Sequence, residues 1–290
     1  MLIAYERKRF SESNLKIIEQ ANEIIDEYQA QGFTLTLRQL YYQFVARDLI
    51  PNTMQSYKRL GTIVNDGRMA GLISWEAIED RTRNLRRLSH WEDPKEIMKS
   101  AIDDFRIDKW ADQAYRPEVW IEKEALAGVI SNICDRYDVP YFACRGYNSQ
   151  SEQWAAGRRF ASYTSKGQIP IVFHFGDHDP SGIDMTRDNQ TRLSLFASMT
   201  VKVERLALNY DQIEKYNPPP NPAKTTDSRY TGYIRSFGVH SWELDALKPQ
   251  VIVKLVEDAI LSIRNNTQWQ ISTVTEDKGR EKLKQAMNLL

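Results

Sequence analysis

Asp177 and Asp179 stand two residues apart, just after the apolar run Ile171 to Phe175 and just before Pro180-Ser181-Gly182. A short apolar run bounded by turn residues reads as a buried strand. Strand side chains alternate faces, so the two carboxylates point the same way for as long as strand geometry continues. Two acids that close repel unless a proton or a cation lies between them. The cation suited to an all-carboxylate site is hard and oxygen-loving, such as Mg²⁺. Pro-Ser-Gly then ends the strand and turns the chain. The pattern predicts a metal site at a strand end. Glu122, directly after Val119-Trp120-Ile121, is a third acid in the same setting. His178 is expected to face away from its two neighbours, as a phosphate or base contact. His174 is expected to be a satisfied core histidine, and Asp184 a helix-surface residue.

The elements that must carry these acids alternate between strand and helix. Val119 to Ile121 is a strand, Lys123 to Tyr137 a helix, and Tyr141 to Ala143 a strand. Ser151 to Thr164 is a helix, Ile169 to Phe175 a strand, and Gly182 to Phe196 a helix. Thr200 to Val203 is the fourth strand. Such alternation predicts a parallel sheet in an α/β domain. Ligands of these sheets bind at the carboxyl ends of the strands, where Glu122, Asp177 and Asp179 all fall. Beyond them, Tyr216 to Pro222 is too proline-rich for regular structure. Trp242 to Leu247 and Lys248 to Ile263 return to helix, and Thr275 to Leu290 is a charged helical tail. Glu243 and Asp245 could supply a further acid, although acids also favour a helix start. The loop from Lys224 to Arg229 could approach the site or a bound ligand.

Upstream, Ser11 to Ala30, Leu37 to Arg47 and Gln55 to Ala70 read as three capped amphipathic helices. Ile73 to Trp75 and Ile78 to Asp80 are short extended candidates. Three helices and short strands in such a span match a winged helix, a relative of the helix-turn-helix. Between Arg38 and Arg87 there are nine Lys/Arg against five Asp/Glu, four of them in Arg81, Arg83, Arg86 and Arg87. That cluster is a candidate phosphate-contacting strip or a solvated helix face. Pro94 to Trp110 reads as a connecting helix.

Composition narrows the class. The 290 residues suffice for two domains, and 41% hydrophobic with 27% charged residues fits a globular chain with a core. Formal net charge is zero, which is not the global mark of a nucleic-acid binder. No apolar run reaches the roughly 20 residues of a bilayer span. The beginning of the chain lacks signal-peptide order. The two cysteines, Cys134 and Cys144, make neither a disulfide framework nor a thiolate cage. A cytoplasmic location is the default expectation.

Two segments carry a resemblance. Trp120-Ile121-Glu122-Lys123 and Gly176-Asp177-His178-Asp179-Pro180-Ser181-Gly182 resemble the Toprim motifs of the topoisomerase VI A subunit and its relative, the meiotic double-strand-break transesterase. Arg145-Gly146-Tyr147 resembles the glycine-tyrosine step between them. Thr36 to Tyr42, Thr-Leu-Arg-Gln-Leu-Tyr-Tyr, resembles the catalytic-tyrosine motif. The order is also the family's, and the likeness spans residues 34–188. It implies a winged-helix domain over 1–93, a connector over 94–115, a Rossmann-like Toprim core over 116–208 and a C-terminal helical extension over 209–290.

The resemblance implies that Tyr42 is the nucleophile, Arg38 the cation beside it, and Glu122, Asp177 and Asp179 the Mg²⁺ ligands. Arg38 and Tyr42, four apart on a helix, share a face, while Tyr41 points about 100° away. A phenol with a free pKa of about 10 needs such help to attack a phosphate. Lys123, Arg145 and the Arg81 to Arg87 cluster are expected on double-stranded DNA. A homodimer is implied, with tyrosine and acids from different protomers, and strand passage needs a separate ATPase subunit. Two other readings remain open: a Toprim nuclease that activates water, of the kind found in defence systems, and a DNA-binding protein whose Toprim is inert.

Overall fold

The computed structural model describes residues 2–79 and 88–288. Helix α1 (Glu12–Gln29) begins where the Ser11 side chain accepts from the Asn14 backbone, and buries Ile18, Ala21, Ile24, Ile25 and Tyr28. Helix α2 (Leu37–Ala46) opens with a capping box, Thr36 and Gln39 each accepting from the other's backbone. Helix α3 (Met54–Met69) is capped by Thr53. The three pack around Leu35, Leu40, Phe44, Leu60, Ile63 and Ile73. Of the short extended segments expected after α3, Ile73 to Trp75 forms no strand, and among the described residues of the second only Ile78 is paired, in an isolated bridge with Leu35; a further isolated bridge joins Ala4 to Ala70.

Helix α4 (Pro94–Asp104) stops at Asp104 and does not continue to Trp110 as the sequence suggested. The reason is Trp110 itself. It is 1% exposed, sits in the core of the sheet domain, and donates its indole N–H to Tyr137 O at 2.8 Å. A continuous helix could not deliver it there. Glu276 of the C-terminal helix holds this connection by accepting from Ile107 N and Lys109 Nζ, both at 3.0 Å.

Strands β1 (Tyr115–Ile121), β2 (Tyr141–Ala143), β3 (Ile169–Phe175) and β4 (Lys202–Ala207) form one sheet in the order β2-β1-β3-β4, all parallel. β4 begins later than the expected Thr200, because the preceding helix runs to Ala197 and Ser198 then turns through the left-handed region at φ 56°. Alternate residues serve opposite layers. Val119, Ile121, Ile171, Phe173 and Phe175 pack against α5 (Glu124–Arg136) and α10 (Pro249–Ile263). Trp120, Val172 and Val203 pack against α6 (Gln150–Ser165) and α7 (Pro180–Ala197). Helices on both faces of a parallel sheet make a Rossmann-like three-layer architecture.

The remainder closes over the strand ends. α8 (Tyr210–Tyr216) is followed by Asn221–Pro222, which pairs antiparallel with His240–Ser241 across α9 (Tyr230–Phe237). The helix expected over Trp242 to Leu247 is only a 3-10 turn, Leu244–Ala246. Trp242 is unavailable to a helix because its backbone exchanges hydrogen bonds with His178 at 2.8 and 3.0 Å. α11 (Asn266–Met287) completes the chain. Among the described residues, no helix is long and apolar enough to cross a membrane.

Candidate functional site

Register sets the site. Ile121 lies beside Phe175, and Phe175 beside Ala207, so β1, β3 and β4 end level. The chain leaves β1 toward β2 on one side and continues from β3 to β4 on the other. The β1–β3 boundary is therefore the switch point at which α/β sheets bind ligands. Glu122 and Asp177 flank it.

Glu122 N donates to Phe175 O at 2.8 Å, and Glu122 Oε2 accepts from Asp177 N at 2.8 Å. Gly176 leaves room for that contact: a Cβ there would lie 3.2 Å from Glu122 Oε2 and 3.1 Å from Arg205. Strand geometry has ended by this point, so the two aspartates do different jobs. Asp177 Oδ1 accepts from Leu244 N at 2.8 Å and Oδ2 pairs with Lys123 Nζ at 2.6 Å. Asp179 caps α7, its Oδ1 accepting from Gly182 N at 2.6 Å and Ser181 Oγ at 2.9 Å. Its Oδ2 has Lys224 Nζ at 3.9 Å, so the loop after the prolines does reach the site.

Burial pushes the Glu122 carboxyl up to about 7, and the Asp177 charge adds to the rise. Asp177 is likewise raised by burial, against the pull of Lys123. Among the described residues, no three His, Cys, Asp or Glu side chains form a ready metal cage. The donor chemistry of Glu122, Asp177 and Asp179 nonetheless fits a hard divalent cation. They are carboxylates at the strand ends, two of them are raised by burial, and the countercharges beside Asp177 and Asp179 are lysine ammoniums, Lys123 and the exposed Lys224.

Arg38 and Tyr42 sit on one face of α2, with Arg38 Nη2 3.4 Å from Tyr42 Oη. Arg38 Nη2 also reaches Glu243 Oε2 at 2.5 Å, and Arg38 Nε reaches Asp245 Oδ2 at 3.2 Å. Lys123 Nζ approaches the same Glu243 oxygen at 3.3 Å. A continuous polar relay thus runs Tyr42–Arg38–Glu243–Lys123–Asp177. It joins Tyr42 to Lys123, 81 positions further along the chain, through a segment that belongs to neither motif. Tyr42 is 2% exposed; burial raises its phenol well above the usual range, with Asp245 and Glu243 adding and Arg38 opposing. Tyr41 points elsewhere, its hydroxyl 2.8 Å from Asn52 Oδ1 and 3.2 Å from Thr53 O.

Other expectations fare differently. Lys123 is clasped between Asp177 and Glu243, and Arg145 is exposed and paired with Glu124. Arg81, Arg83, Arg86 and Arg87 lie outside the described residues. His178 is no phosphate contact. It is 2% exposed among Tyr210, Tyr233, Phe237 and Trp242, with Nδ1 2.8 Å from Tyr233 Oη, and burial pushes it down to about 4. His174 is only half satisfied. Nδ1 meets Thr186 Oγ1 at 2.8 Å while the buried Nε2 has no partner among the described residues. Asp184 is a partly exposed residue of α7, where it accepts from Tyr147 Oη at 2.7 Å and pairs with Arg187 and Arg229.

Arg205 was not anticipated. From β4 it donates to the carbonyls of Gly176, Asp177, Gly182 and Leu208 and so knits the strand-end loop together. A charged residue inside a strand was the available signal. Glu243 and Asp245, offered from the sequence as a further acid, do lie at the site, where they receive Arg38 and, for Glu243, Lys123. Compared with protein-family models, curated proteins and solved structures, the chain has no significant match to any.

Proposed function

We propose that this chain cleaves DNA strands in a Mg²⁺-dependent reaction of the topoisomerase VI A type. The observation that carries the reading is the relay from Tyr42 through Arg38, Glu243 and Lys123 to Asp177. It links a phenol, two cations and the strand-end carboxylate Asp177 in one run of contacts, groups of the kind needed to transfer a phosphoryl group. The Tyr42 Oη–phosphorus bond forms as the bond from phosphorus to the 3′ oxygen breaks. Tyr42 gives up its proton, the 3′ oxygen gains one, and a 5′-phosphotyrosyl link remains. Arg38 stabilises phosphate charge beside Tyr42. Glu122, Asp177 and Asp179 would hold Mg²⁺, which when bound neutralises charge on the phosphate and its leaving oxygen. Arg205 fixes the loop carrying Asp177.

The three N-terminal helices serve in this reading as a winged-helix DNA-binding unit, with the Arg81 to Arg87 cluster, Lys123 and Arg145 on the duplex. One tyrosine centre cuts one strand, so cutting both strands requires a homodimer. Strand passage requires a separate ATPase subunit. The test is covalent trapping: with Mg²⁺ and duplex DNA, the wild-type chain forms a denaturant-stable protein–DNA adduct and Tyr42→Phe does not. DNA cleavage by the wild-type chain with no adduct at any time point overturns the tyrosine mechanism.

A second reading, a nuclease that activates water, is favoured by one observation, the burial and raised phenol of Tyr42. It expects cleavage to survive Tyr42→Phe and to be lost in Asp177→Ala.

A further inference from the structure

Two cations from different parts of the fold converge on a single carboxylate oxygen. Arg38 Nη2 lies 2.5 Å and Lys123 Nζ 3.3 Å from Glu243 Oε2. Each cation is also held from behind by a more deeply buried acid. Asp245, 2% exposed, receives Arg38 Nε, and Asp177, 6% exposed, receives Lys123 Nζ. Arg38 and Lys123 would therefore stay where they are if Glu243 left. Among the described residues, Glu243 is the member with no acid or backbone partner of its own behind its carboxylate. Its side chain is one-quarter exposed and, among the described residues, its carboxylate is hydrogen-bonded by those two cations alone. Its backbone is tethered next to Trp242, which pairs with His178, so the side chain can swing without the chain shifting.

An oxygen anion between an arginine and a lysine is the setting proteins use for phosphate, and guanidinium groups bind carboxylate and phosphate with the same fork. Arg38 is also 3.4 Å from Tyr42 Oη, so an anion in this place is adjacent to the candidate nucleophile. Burial works to raise the Glu243 carboxyl, yet Lys123 and Arg38 together outweigh it and hold the group below the ordinary carboxylate range. It therefore stays charged, as a phosphate mimic must.

We infer that Glu243 is a built-in competitor for the substrate. In the free protein its carboxylate fills an anion site formed by Arg38 and Lys123, and a DNA backbone phosphate takes that site by displacing it. The identity of the anion rests on the proposed DNA-cleaving reading; the site itself rests on the geometry. The arrangement is autoinhibitory, because Arg38 and Tyr42 are engaged until a phosphate arrives.

The test is binding without cleavage: fluorescence anisotropy of a short labelled duplex, with chelator present so that no strand is cut. Glu243→Gln and Glu243→Ala are expected to bind roughly tenfold more tightly than the wild-type chain. Asp211→Asn, which removes one negative charge from an exposed position on α8, controls for net charge and should gain far less. In an Arg38→Gln background the gain from Glu243→Gln should disappear. If Glu243→Gln and Glu243→Ala bind no better than Asp211→Asn, or the gain persists without Arg38, the inference is wrong. Failure of the adduct test with tighter binding by the Glu243 variants would remove the tyrosine mechanism and leave the anion site standing. Adduct formation with no gain on losing Glu243 would do the reverse.

Discussion

Arg205 donates to the backbone carbonyl of Asp177 at 2.6 Å, reaching across from the neighbouring strand. The same guanidinium satisfies Gly176 O at 2.9 Å and Gly182 O at 2.8 Å. One side chain therefore adds donors to a loop whose backbone is otherwise held by Gly176 pairing with Ala207 and Leu208 and by His178 pairing with Trp242. Burial lowers its pKa to about 10, with Glu122, Asp177 and Asp179 opposing the fall, so it keeps its charge at neutral pH.

Replacing it should be costly for that reason. Arg205→Gln would remove the guanidinium donors from Asp177 O, Gly182 O and Leu208 O and leave Gly176 O with Leu208 N alone, at about 3 kcal/mol of folding stability. Urea denaturation measures this. An Arg205→Gln chain as stable as wild type would mean that the loop holds itself.

Asp179 permits a cleaner separation of structure from chemistry. Its Oδ1 caps α7, and asparagine caps as well as aspartate. Asp179→Asn should therefore keep wild-type stability, whereas Asp179→Ala should lose about 1 kcal/mol. Both should lose Mg²⁺-stimulated cleavage if the carboxylate holds the cation. Full cleavage by Asp179→Asn would confine this residue to capping.

Much of this architecture is written locally. The parallel sheet follows from four apolar strands separated by helices, and Glu122, Asp177 and Asp179 are strand-end acids by position alone. What local pattern could not give is the partner of each charge. Arg38 and Glu243 are 205 positions apart, and Lys123 and Glu243 are 120 apart. Such pairs exist only after the chain has folded over the strand ends. The same long reach misled the local reading at Trp242, where backbone pairing with His178 replaced a helix, and at Trp110, which core burial drew out of one. Asp177 and Asp179 share spacing but not direction, because the strand stops at Phe175.

Asp245 gives the protein a pH signature. Burial raises its carboxyl to about 7 from an ordinary 3.8, against the pull of Lys123 and Arg38. A raised acid binds its proton more tightly in the folded state than in the unfolded one. Its contribution to stability is thus full below about pH 4, falls as pH rises toward about 7, and is flat above. Asp245→Asn should flatten that part of the stability–pH curve, measured by thermal melts across this range. An unchanged slope would assign the titration to another group.

The last prediction concerns which acids serve which tyrosine. The resemblance to topoisomerase VI A implies that the Tyr42 of one protomer works with the acids of the other. Within one chain, however, Arg38 already links Tyr42 to Glu243, and Lys123 links Glu243 to Asp177. That geometry favours pairing within a protomer. Mixing Tyr42→Phe and Asp177→Ala chains separates the two. If pairing is within a protomer, each chain of the mixed dimer lacks one partner and no centre is complete, so no DNA is cut. If pairing is between protomers, one centre receives an intact Tyr42 from one chain and an intact Asp177 from the other, and that dimer nicks a single strand. The mixture is therefore expected to be inactive on supercoiled plasmid, while wild type mixed with either variant keeps nicking. Nicked circles from the double-variant mixture, with neither variant active alone, would show that the relay in each free chain is exchanged when the dimer binds DNA.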